Sequence, residues 1–214
     1  MEILVIAAHP DDETLGMGAT IKKLVKKKNR VRLCAVTEGV TAQYTNKKMI
    51  SIRKDACIKA GKILGISSFD FLGFPDMQLD TVSCLEINRT LQELINKYNP
   101  DIVYTTSCND LNKDHQKVHD STLVVTRPIS SKVKKVISYE VPGCFKNPFH
   151  PTLYENITNE ISTKIKAAKL YKSEIEKFPH PRSIISIENL AIQRGIESGC
   201  KRAEAFQLIR SIKD

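Results

Sequence analysis

Long apolar runs are missing from this 214-residue sequence, and no stretch approaches the roughly 20 residues that a membrane-spanning helix needs. The chain enters a strand-like run at once, without a charged leader and a cleavage site, so we expect no secretory signal. It also lacks C-x-x-C motifs, repeats, linkers and low-complexity tracts. The six cysteines are scattered, mostly in apolar runs, which predicts small buried side chains in a reducing cytoplasm. We therefore expect one cytoplasmic domain spanning residues 1–214.

Acidic residues are fewer than basic ones, and the formal net charge is +9. This balance is compatible with nucleic-acid binding. However, the lysines that cluster at positions 22, 23, 26, 27 and 28 have no aromatic residues between them. We interpret them as the solvated face of an amphipathic helix, expect no nucleic-acid partner, and note that such charge can steer an anionic substrate.

Hydrophobic residues make up 41% of the chain, which is enough for a substantial core. Short branched apolar runs alternate with segments of helical periodicity, and crossovers of this size predict an α/β fold with a mostly parallel sheet and helices on both faces. Side chains such as Ile52, Ile63 and Leu85 are expected on the inner faces of their helices. The predicted strands are 2–8, 30–37, 69–72, 101–106 and 136–141, and the predicted helices are 14–28, 50–64, 81–98, 159–175 and 183–197.

The first polar cluster, His9-Pro10-Asp11-Asp12-Glu13, lies between a predicted buried strand and a predicted helix. In open α/β sheets, ligands bind at this end of the strands. Two interpretations are open at this point. The acidic residues suit the first turn of a helix. Alternatively, His9 and Asp12, three residues apart across a proline-stiffened turn, face one metal ion, and Asp11 flanks it.

Gly16 and Gly18, which follow this cluster, do not complete a dinucleotide-binding fingerprint. Position 21 is Ile, and acidic residues stand where a pyrophosphate would lie. We therefore predict no nucleotide cofactor.

A second polar cluster, residues 107–115, follows the fourth predicted strand and ends in His115. Because the exits of parallel strands lie at one edge of a sheet, His9, Asp12 and His115 can converge. Two neutral imidazoles and one carboxylate, with a position left for water, form a common catalytic zinc site, and the same set also suits iron. The two clusters together favour a zinc or iron centre over a simple helix start.

The pair of motifs, His-Pro-Asp-Asp-Glu at 9–13 and Asp-Leu-Asn-Lys-Asp-His at 110–115, resembles the PIG-L/LmbE-like family of zinc-dependent N-acetylglucosaminyl deacetylases. The resemblance implies a Rossmann-like fold. It also implies removal of acetyl groups from N-acetylglucosamine-type sugars, free or attached to a lipid, nucleotide, thiol precursor or antibiotic. Supporting similarity extends to Arg53, Leu64-Gly65, Tyr139-Glu140, His180-Pro181-Arg182-Ser183 and Ala203-Glu204-Ala205-Phe206.

By this similarity, His9, Asp12 and His115 correspond to the metal ligands, and Asp11 corresponds to the general base. Zinc would lower the pKa of a water towards about 7, and Asp11 would take its proton. The expected partner is a small-molecule N-acetyl sugar or its conjugate. Another acylated amine, a thiol-precursor conjugate and a basic nucleic-acid-binding module remain the alternatives.

One position departs from the pattern, because many members carry histidine where this chain has Asn112. An asparagine amide can donate a hydrogen bond to an oxyanion, but it cannot supply a proton. Asp114 is expected to orient a ligand or Asn112, or to cap the following helix. The simplest source of the proton for the leaving amine is Asp11, acting first as base and then as acid. The alternative source is His180, for which a purely structural role in its loop is an equally open interpretation.

Two arginines complete the predicted site. Arg53 is interpreted either as part of a surface ion pair or as a clamp on a substrate oxygen. Arg182, in the same proline-braced loop as His180, is expected to contact a sugar or phosphate oxygen.

Overall fold

The computed structural model describes residues 1–44, 46, 48–143 and 145–213, so Cys144, one of the six cysteines, lies outside the described residues. The elements in chain order are β1 (Glu2–Ala7), α1 (Asp12–Lys26), β2 (Arg30–Thr37), α2 (Lys48–Leu64), β3 (Ser68–Phe74), α3 (Cys84–Tyr98), β4 (Ile102–Thr105), α4 (Lys113–Val125), β5 (Lys135–Tyr139), β6 (Leu153–Asn156), α5 (Ile161–Ala168), α6 (Ile184–Ser198) and β7 (Ala203–Ser211). None of the helices in this described part is long and apolar enough to cross a bilayer.

The strands form one seven-stranded sheet in the order β3-β2-β1-β4-β5-β7-β6. Strands β1 to β5 pair in parallel, whereas β7 pairs antiparallel with both β5 and β6. The predicted α/β class with a mostly parallel sheet is confirmed. The sequence reading assigned no strand to β6 or β7. Strand β6 is short and mostly exposed, and β7 lies beside β5 only through long-range pairing.

Strand β1 lies inside the sheet, between β2 and β4, and contributes side chains to both hydrophobic cores. Ile3, Val5 and Ala7 pack with α1, α2, α5 and α6 on one face, and Leu4 and Ile6 pack with α3 and α4 on the other. Because a strand directs alternate side chains to opposite faces, a strand covered on both sides has to be apolar throughout. This explains the uninterrupted apolar run before His9.

Three side chains predicted to face inward on α2 and α3 are exposed, whereas Leu64 and Leu91 on the same helices are buried. Ile52 is 54% exposed and Leu85 is 57% exposed, and Ile63 is exposed as well. In α2 the buried position next to Ile52 belongs to Arg53, whose guanidinium is held by ion pairs. In α3 the buried position belongs to Ile87, two residues beyond Leu85. The prediction of inward-facing Ile52, Ile63 and Leu85 was therefore wrong.

The predicted helix 159–175 is also too long, because α5 ends at Ala168 and residues 169–174 continue as turns. Tyr171 is buried in these turns, and its hydroxyl donates a 2.6 Å hydrogen bond to Glu13. This contact ties the turn segment to the start of α1. As a result, Ser173 and Glu174 lie at the carboxyl edge of the sheet rather than on a helix.

Close packing of α1 on the sheet explains Gly16. A Cβ atom at this position would lie 2.5 Å from Cδ2 of Tyr139 and 2.9 Å from the carbonyl oxygen of Glu140. Only glycine allows β5 to approach the helix this closely. The glycine therefore serves packing, next to the loop that carries the first polar cluster.

Candidate active site

Three side chains from the two polar clusters meet where the neighbouring strands β1 and β4 end. His9 Nδ1 lies 3.2 Å from His115 Nε2, and each of these nitrogens lies 3.4 Å from Oδ2 of Asp12. All three side chains are buried. The structure thus brings together the residues that the sequence predicted to converge.

The outward-facing nitrogen of each imidazole has a carboxylate partner. His9 Nε2 lies 3.2 Å from oxygens of both Asp76 and Asp114, and His115 Nδ1 lies 2.8 Å from Oδ2 of Asp110. Placing a proton on each of these outer nitrogens satisfies the carboxylates. The inner nitrogens then present lone pairs to each other and to Asp12. Three acceptors at this separation repel one another unless a cation lies between them.

The pKa values of the site show the same demand for positive charge. Burial alone would lower the pKa of His115, but the charge of Asp12 and hydrogen bonds to Asp110 and Asp12 raise it to about 9. Burial likewise opposes the charged form of Asp12, yet the neighbouring His115 and His9 hold the pKa of its carboxyl well below its usual range.

The triangle of ligand atoms fits a small tetrahedral cation. At zinc bond lengths of about 2.0 to 2.1 Å, tetrahedral geometry separates two ligand atoms by about 3.3 to 3.4 Å. The observed edges are 3.2, 3.4 and 3.4 Å. The competing helix-start interpretation receives less support, because Asp11 stands at the N-cap of α1 without a capping side-chain hydrogen bond.

A second group of potential ligands, His9 with Asp76 and Asp114, shares one imidazole with the first. Its carboxylates already accept backbone hydrogen bonds. Asp114 accepts the N–H groups of Met77 and Leu79 at 2.7 and 3.0 Å, and Asp76 accepts that of Ala42 at 3.3 Å. Oδ2 of Asp12 also accepts a backbone N–H, that of His9 at 2.8 Å, so these bonds do not separate the two groups; the contact of both acids with the outer nitrogen of His9 suits them to orient this imidazole.

Asp11 lies beside the triangle with one oxygen paired and one without a partner. Oδ2 accepts a 3.0 Å hydrogen bond from Arg53, whereas Oδ1 is buried and has no hydrogen-bond partner within the described chain. A buried carboxylate oxygen left open in this way is a ready acceptor for a ligand proton. Glu13, the last acid of the motif, accepts hydrogen bonds from Thr14 and Tyr171 through Oε1, its Oε2 is likewise buried without a partner in the described chain, and burial raises its pKa to about 7.

Arg53 is buried and directs its donors to the protein itself. It contacts Asp11, the carbonyl oxygens of Pro10 and Gly39, and Oε1 of Glu174 at 3.0 Å. The predicted ion pair is present, since Arg53 pairs with Asp11, but it is buried rather than at the surface, because only 4% of Arg53 is exposed. The guanidinium holds Asp11 in place, and the expected contact with a substrate oxygen stays a prediction.

Residues of the segment 173–182 line the cavity beside the site. Arg182 donates a 3.0 Å hydrogen bond to Oε2 of Glu174 and approaches Oδ2 of Asp11 to 3.9 Å. Nδ1 of His180 accepts the backbone N–H of Arg182 at 3.1 Å, so the outer face of this exposed imidazole is its Nε2 edge. Glu174 thereby joins both arginines to the surroundings of Asp11.

Asn112 and Asp114 occupy the start of α4. Asn112 is the N-cap, and its Oδ1 accepts the backbone N–H of Asp114 at 2.8 Å. The alternative prediction, that Asp114 caps this helix, is therefore wrong. Asn112 also lines the cavity, and with Oδ1 engaged, Nδ2 is the side-chain group that is left to donate a hydrogen bond.

A cavity of about 660 Å³ opens above these groups. It reaches the predicted site residues Asn112, His115, His180 and Arg182, and its size falls in the range of small-molecule sites. The remaining lining residues are Gln43, Met77, Asp110, Leu111, Val141, Pro142, Gly143, Ser173, Glu174, Glu176 and Pro181.

Sequence reasoning missed Asp76, Asp110 and Glu174. Asp110 belongs to the second polar cluster, so its position was a usable signal. Asp76 follows β3, another strand whose carboxyl end lies at the same edge, so its position carried the same kind of signal. Glu174 fell inside an overextended helix and carried no local signal.

Comparisons with known proteins agree with these motifs. The sequence matches the family described as PIG-L: GlcNAc-PI de-N-acetylase over residues 4–126. It is 31% identical over 180 residues to the uncharacterized deacetylase YaiS of Escherichia coli. This alignment spans 80% of this chain and 90% of that protein. It is also 25% identical over 108 residues to a probable N-acetyl-alpha-D-glucosaminyl L-malate deacetylase of Bacillus anthracis. This second alignment spans 47% of this chain and 48% of that protein.

The fold has a close counterpart among solved structures. N,N'-diacetylchitobiose deacetylase from Pyrococcus horikoshii superposes with a TM-score of 0.84 at 20% identity, over 98% of this chain and 84% of that chain. At this identity the likeness concerns the fold alone. The match of the family over more than half of the sequence, together with the long alignment to YaiS, establishes the relationship that the two motifs predicted. The chain belongs to the PIG-L/LmbE family of deacetylases.

Proposed function

We propose that this protein is a zinc-dependent hydrolase that removes the acetyl group from an N-acetylated amino sugar of the N-acetylglucosamine type. The observation that carries the proposal is the triangle of His9, Asp12 and His115 beside the unpartnered Oδ1 of Asp11. The three side chains supply a place for a cation, and Oδ1 of Asp11 supplies a proton acceptor next to it. We retain a single domain over residues 1–214 and a cytoplasmic location as predictions.

Zinc held by His9, Asp12 and His115 would polarise the acetyl oxygen and lower the pKa of a water towards about 7. Two imidazoles and one carboxylate also suit iron, and the metal quantification described below distinguishes the two metals.

Asp11 acts as the general base. As water attacks the acetyl carbon and the new C–O bond forms, Oδ1 of Asp11 accepts a proton from that water. The role of Arg53 is to hold Oδ2, so that the open oxygen keeps its direction towards the attacking water. Arg53 is therefore a positioning residue, acting through Asp11.

Asn112 stabilises the oxyanion that develops on the acetyl group. Its Oδ1 is engaged in the helix cap, so Nδ2 is the group that donates to the oxyanion. Asp114 acts through His9, because its Oδ2 accepts from the outer imidazole nitrogen and holds the ring orientation.

The C–N bond then breaks, and the leaving amine needs a proton. Asp11 can return the proton it took, which yields acetate and the free amine. His180, at the cavity mouth, is the second candidate donor, and Arg182 beside it is the proposed contact for a sugar oxygen. If His180 supplies the proton, His180→Ala lowers kcat far more than it raises KM, whereas an unchanged kcat would assign the step to Asp11.

The proposed substrate class rests on family membership and on the relatives. The Bacillus anthracis relative is named for an N-acetyl-glucosaminyl malate, which is an acetylated glucosamine with a further group attached. The alternative is an amidohydrolase that acts on another acylated amine or on a thiol-precursor conjugate.

The deciding experiment measures metal content and acetate release together. Wild-type protein and Asp12→Ala are purified without chelators, bound zinc and iron are quantified, and acetate release is assayed on a panel of N-acetylglucosamine derivatives. We expect about one zinc per chain, lost in the variant together with acetate release. Metal-free wild-type protein would refute the proposal and return attention to the basic surface. Bound metal without acetate release from any derivative would favour the alternative amide substrates.

A further inference from the structure

The charged groups in the cavity make a poor receptor for a phosphate. Three of the lining residues are carboxylates, namely Asp110, Glu174 and Glu176, whereas Arg182 is the one guanidinium or ammonium group among the described lining residues. Arg182 is already paired with Glu174 and lies near Asp11. Apart from the cation that the candidate metal centre would hold, a phosphate in the cavity would meet more carboxylates than cationic side chains, despite the +9 charge of the whole chain.

One part of the cavity mouth is apolar and is called the apolar mouth below, while the exposed Gln43, Glu176 and His180 line another part of the cavity. Met77 is 49% exposed and Leu111 is 54% exposed, and both line the cavity together with Pro142 and Pro181. Such large apolar side chains grouped at the mouth of a polar site indicate a surface that is covered when a ligand binds.

Met77 is held at this mouth by the site itself. Its backbone lies in the left-handed region with φ 56°, which non-glycine residues seldom adopt. Its N–H donates a 2.7 Å hydrogen bond to Oδ2 of Asp114, the same oxygen that contacts His9. The apolar mouth and the candidate metal centre are therefore built on one hydrogen-bonded unit, and their relative position is fixed.

We propose that Met77 and Leu111, with Pro142 and Pro181, form an aglycone subsite, and that the substrate is an uncharged glycoside of N-acetylglucosamine with an apolar aglycone. This inference rests on the proposed deacetylase function. The acetamido group reaches His115 and Asn112 in the depth of the cavity, and the aglycone covers the apolar mouth. Sugar 1-phosphates and nucleotide sugars are disfavoured by the carboxylates.

The test compares four ligands that differ only at the anomeric position: free N-acetylglucosamine, its methyl glycoside, its phenyl glycoside and its 1-phosphate. Both kcat/KM for acetate release and Kd by calorimetry are measured with the zinc-loaded protein. We expect the phenyl glycoside to have a kcat/KM about tenfold higher and a Kd about tenfold lower than the methyl glycoside, because its ring is buried against the apolar mouth. We expect the 1-phosphate to be the weakest of the four.

Variants locate the effect. Leu111→Ala and Met77→Ala should each reduce the ratio of kcat/KM for the phenyl glycoside to kcat/KM for the methyl glycoside by about three- to tenfold, because part of the apolar contact is removed. Leu85→Ala is the matched control, since Leu85 is similarly exposed at 57% and does not line the cavity. It should leave the ratio unchanged.

The binding data keep this inference separate from the proposed function. The expected ranking of Kd values without acetate release would support the subsite and refute the deacetylase proposal for these sugars. Acetate release with equal kcat/KM and equal Kd for the phenyl and methyl glycosides would overturn the proposed subsite. The same conclusion would follow if the 1-phosphate were the best ligand. Absence of binding by all four ligands would overturn it as well.

Discussion

Asp110 offers the sharpest test of how the proposed metal centre is built. Its two carboxylate oxygens have different tasks: Oδ1 accepts the backbone N–H of Asn112 at 2.9 Å, and Oδ2 accepts Nδ1–H of His115 at 2.8 Å. Asp110→Asn keeps the size of the side chain but replaces one acceptor with an NH₂ group. One of the two N–H donors then faces another donor.

The cost follows from this mismatch. A buried donor left without its partner costs about 1–3 kcal/mol. His115 can escape the clash by moving its proton to Nε2, but that nitrogen then no longer offers a lone pair to the metal. Either way, we expect zinc affinity to fall by about 10- to 100-fold, as is usual when the partner of a metal-binding histidine is lost.

The assay is zinc affinity by chelator competition, with acetate release measured at saturating zinc. Asp120→Asn serves as the matched control, because Asp120 is exposed on the same helix α4. We expect the control to match wild type and Asp110→Asn to regain much of its activity when zinc is raised. Zinc affinity within twofold of wild type in Asp110→Asn would show that the carboxylate does not orient His115.

Three further predictions concern groups around the same site. Asp11→Asn should retain bound zinc but lose about 10²- to 10⁴-fold in kcat, because the amide cannot accept the proton of the attacking water; retained turnover would exclude Asp11 as the base. Arg53→Ala leaves the carboxylates of Asp11 and Glu174 buried without their guanidinium, so we expect a loss of about 3–5 kcal/mol in the free energy of unfolding, measured by denaturant titration. Gly16→Ala should destabilise the protein by about 1–3 kcal/mol through the clash with Tyr139, while Gly18→Ala on the same helix, whose nearest contact is the flexible Lys164 side chain at 3.3 Å, should cost less; equal melting temperatures would contradict the packing argument.

Several features of the fold were readable from local patterns. The uninterrupted apolar run before His9 identifies a strand buried on both faces, and the strand–helix alternation identifies a parallel sheet. These two facts place the polar clusters at one edge of the sheet. The convergence of His9, Asp12 and His115 follows from them, without any knowledge of a single distance.

Helix faces were less predictable, because each apolar side chain competes with its neighbours for the core. Ile52 lost its buried position to Arg53, which is drawn inward by Asp11 and Glu174. Periodicity counts apolar residues and cannot anticipate a buried guanidinium held by two carboxylates. The same limitation hid Glu174, because the helix was extended through Tyr171, whose hydroxyl binds Glu13.

The sequence by itself determined the fold class, the family and the residues of the candidate metal centre, since these depend on local periodicity and on two short motifs. Tertiary structure alone decided how that centre is oriented. Which nitrogen of His115 faces inward depends on Asp110, and the open oxygen of Asp11 depends on Arg53. The antiparallel strands β6 and β7 and the apolar mouth above the site likewise arise from contacts between segments distant in the chain, which no local pattern records.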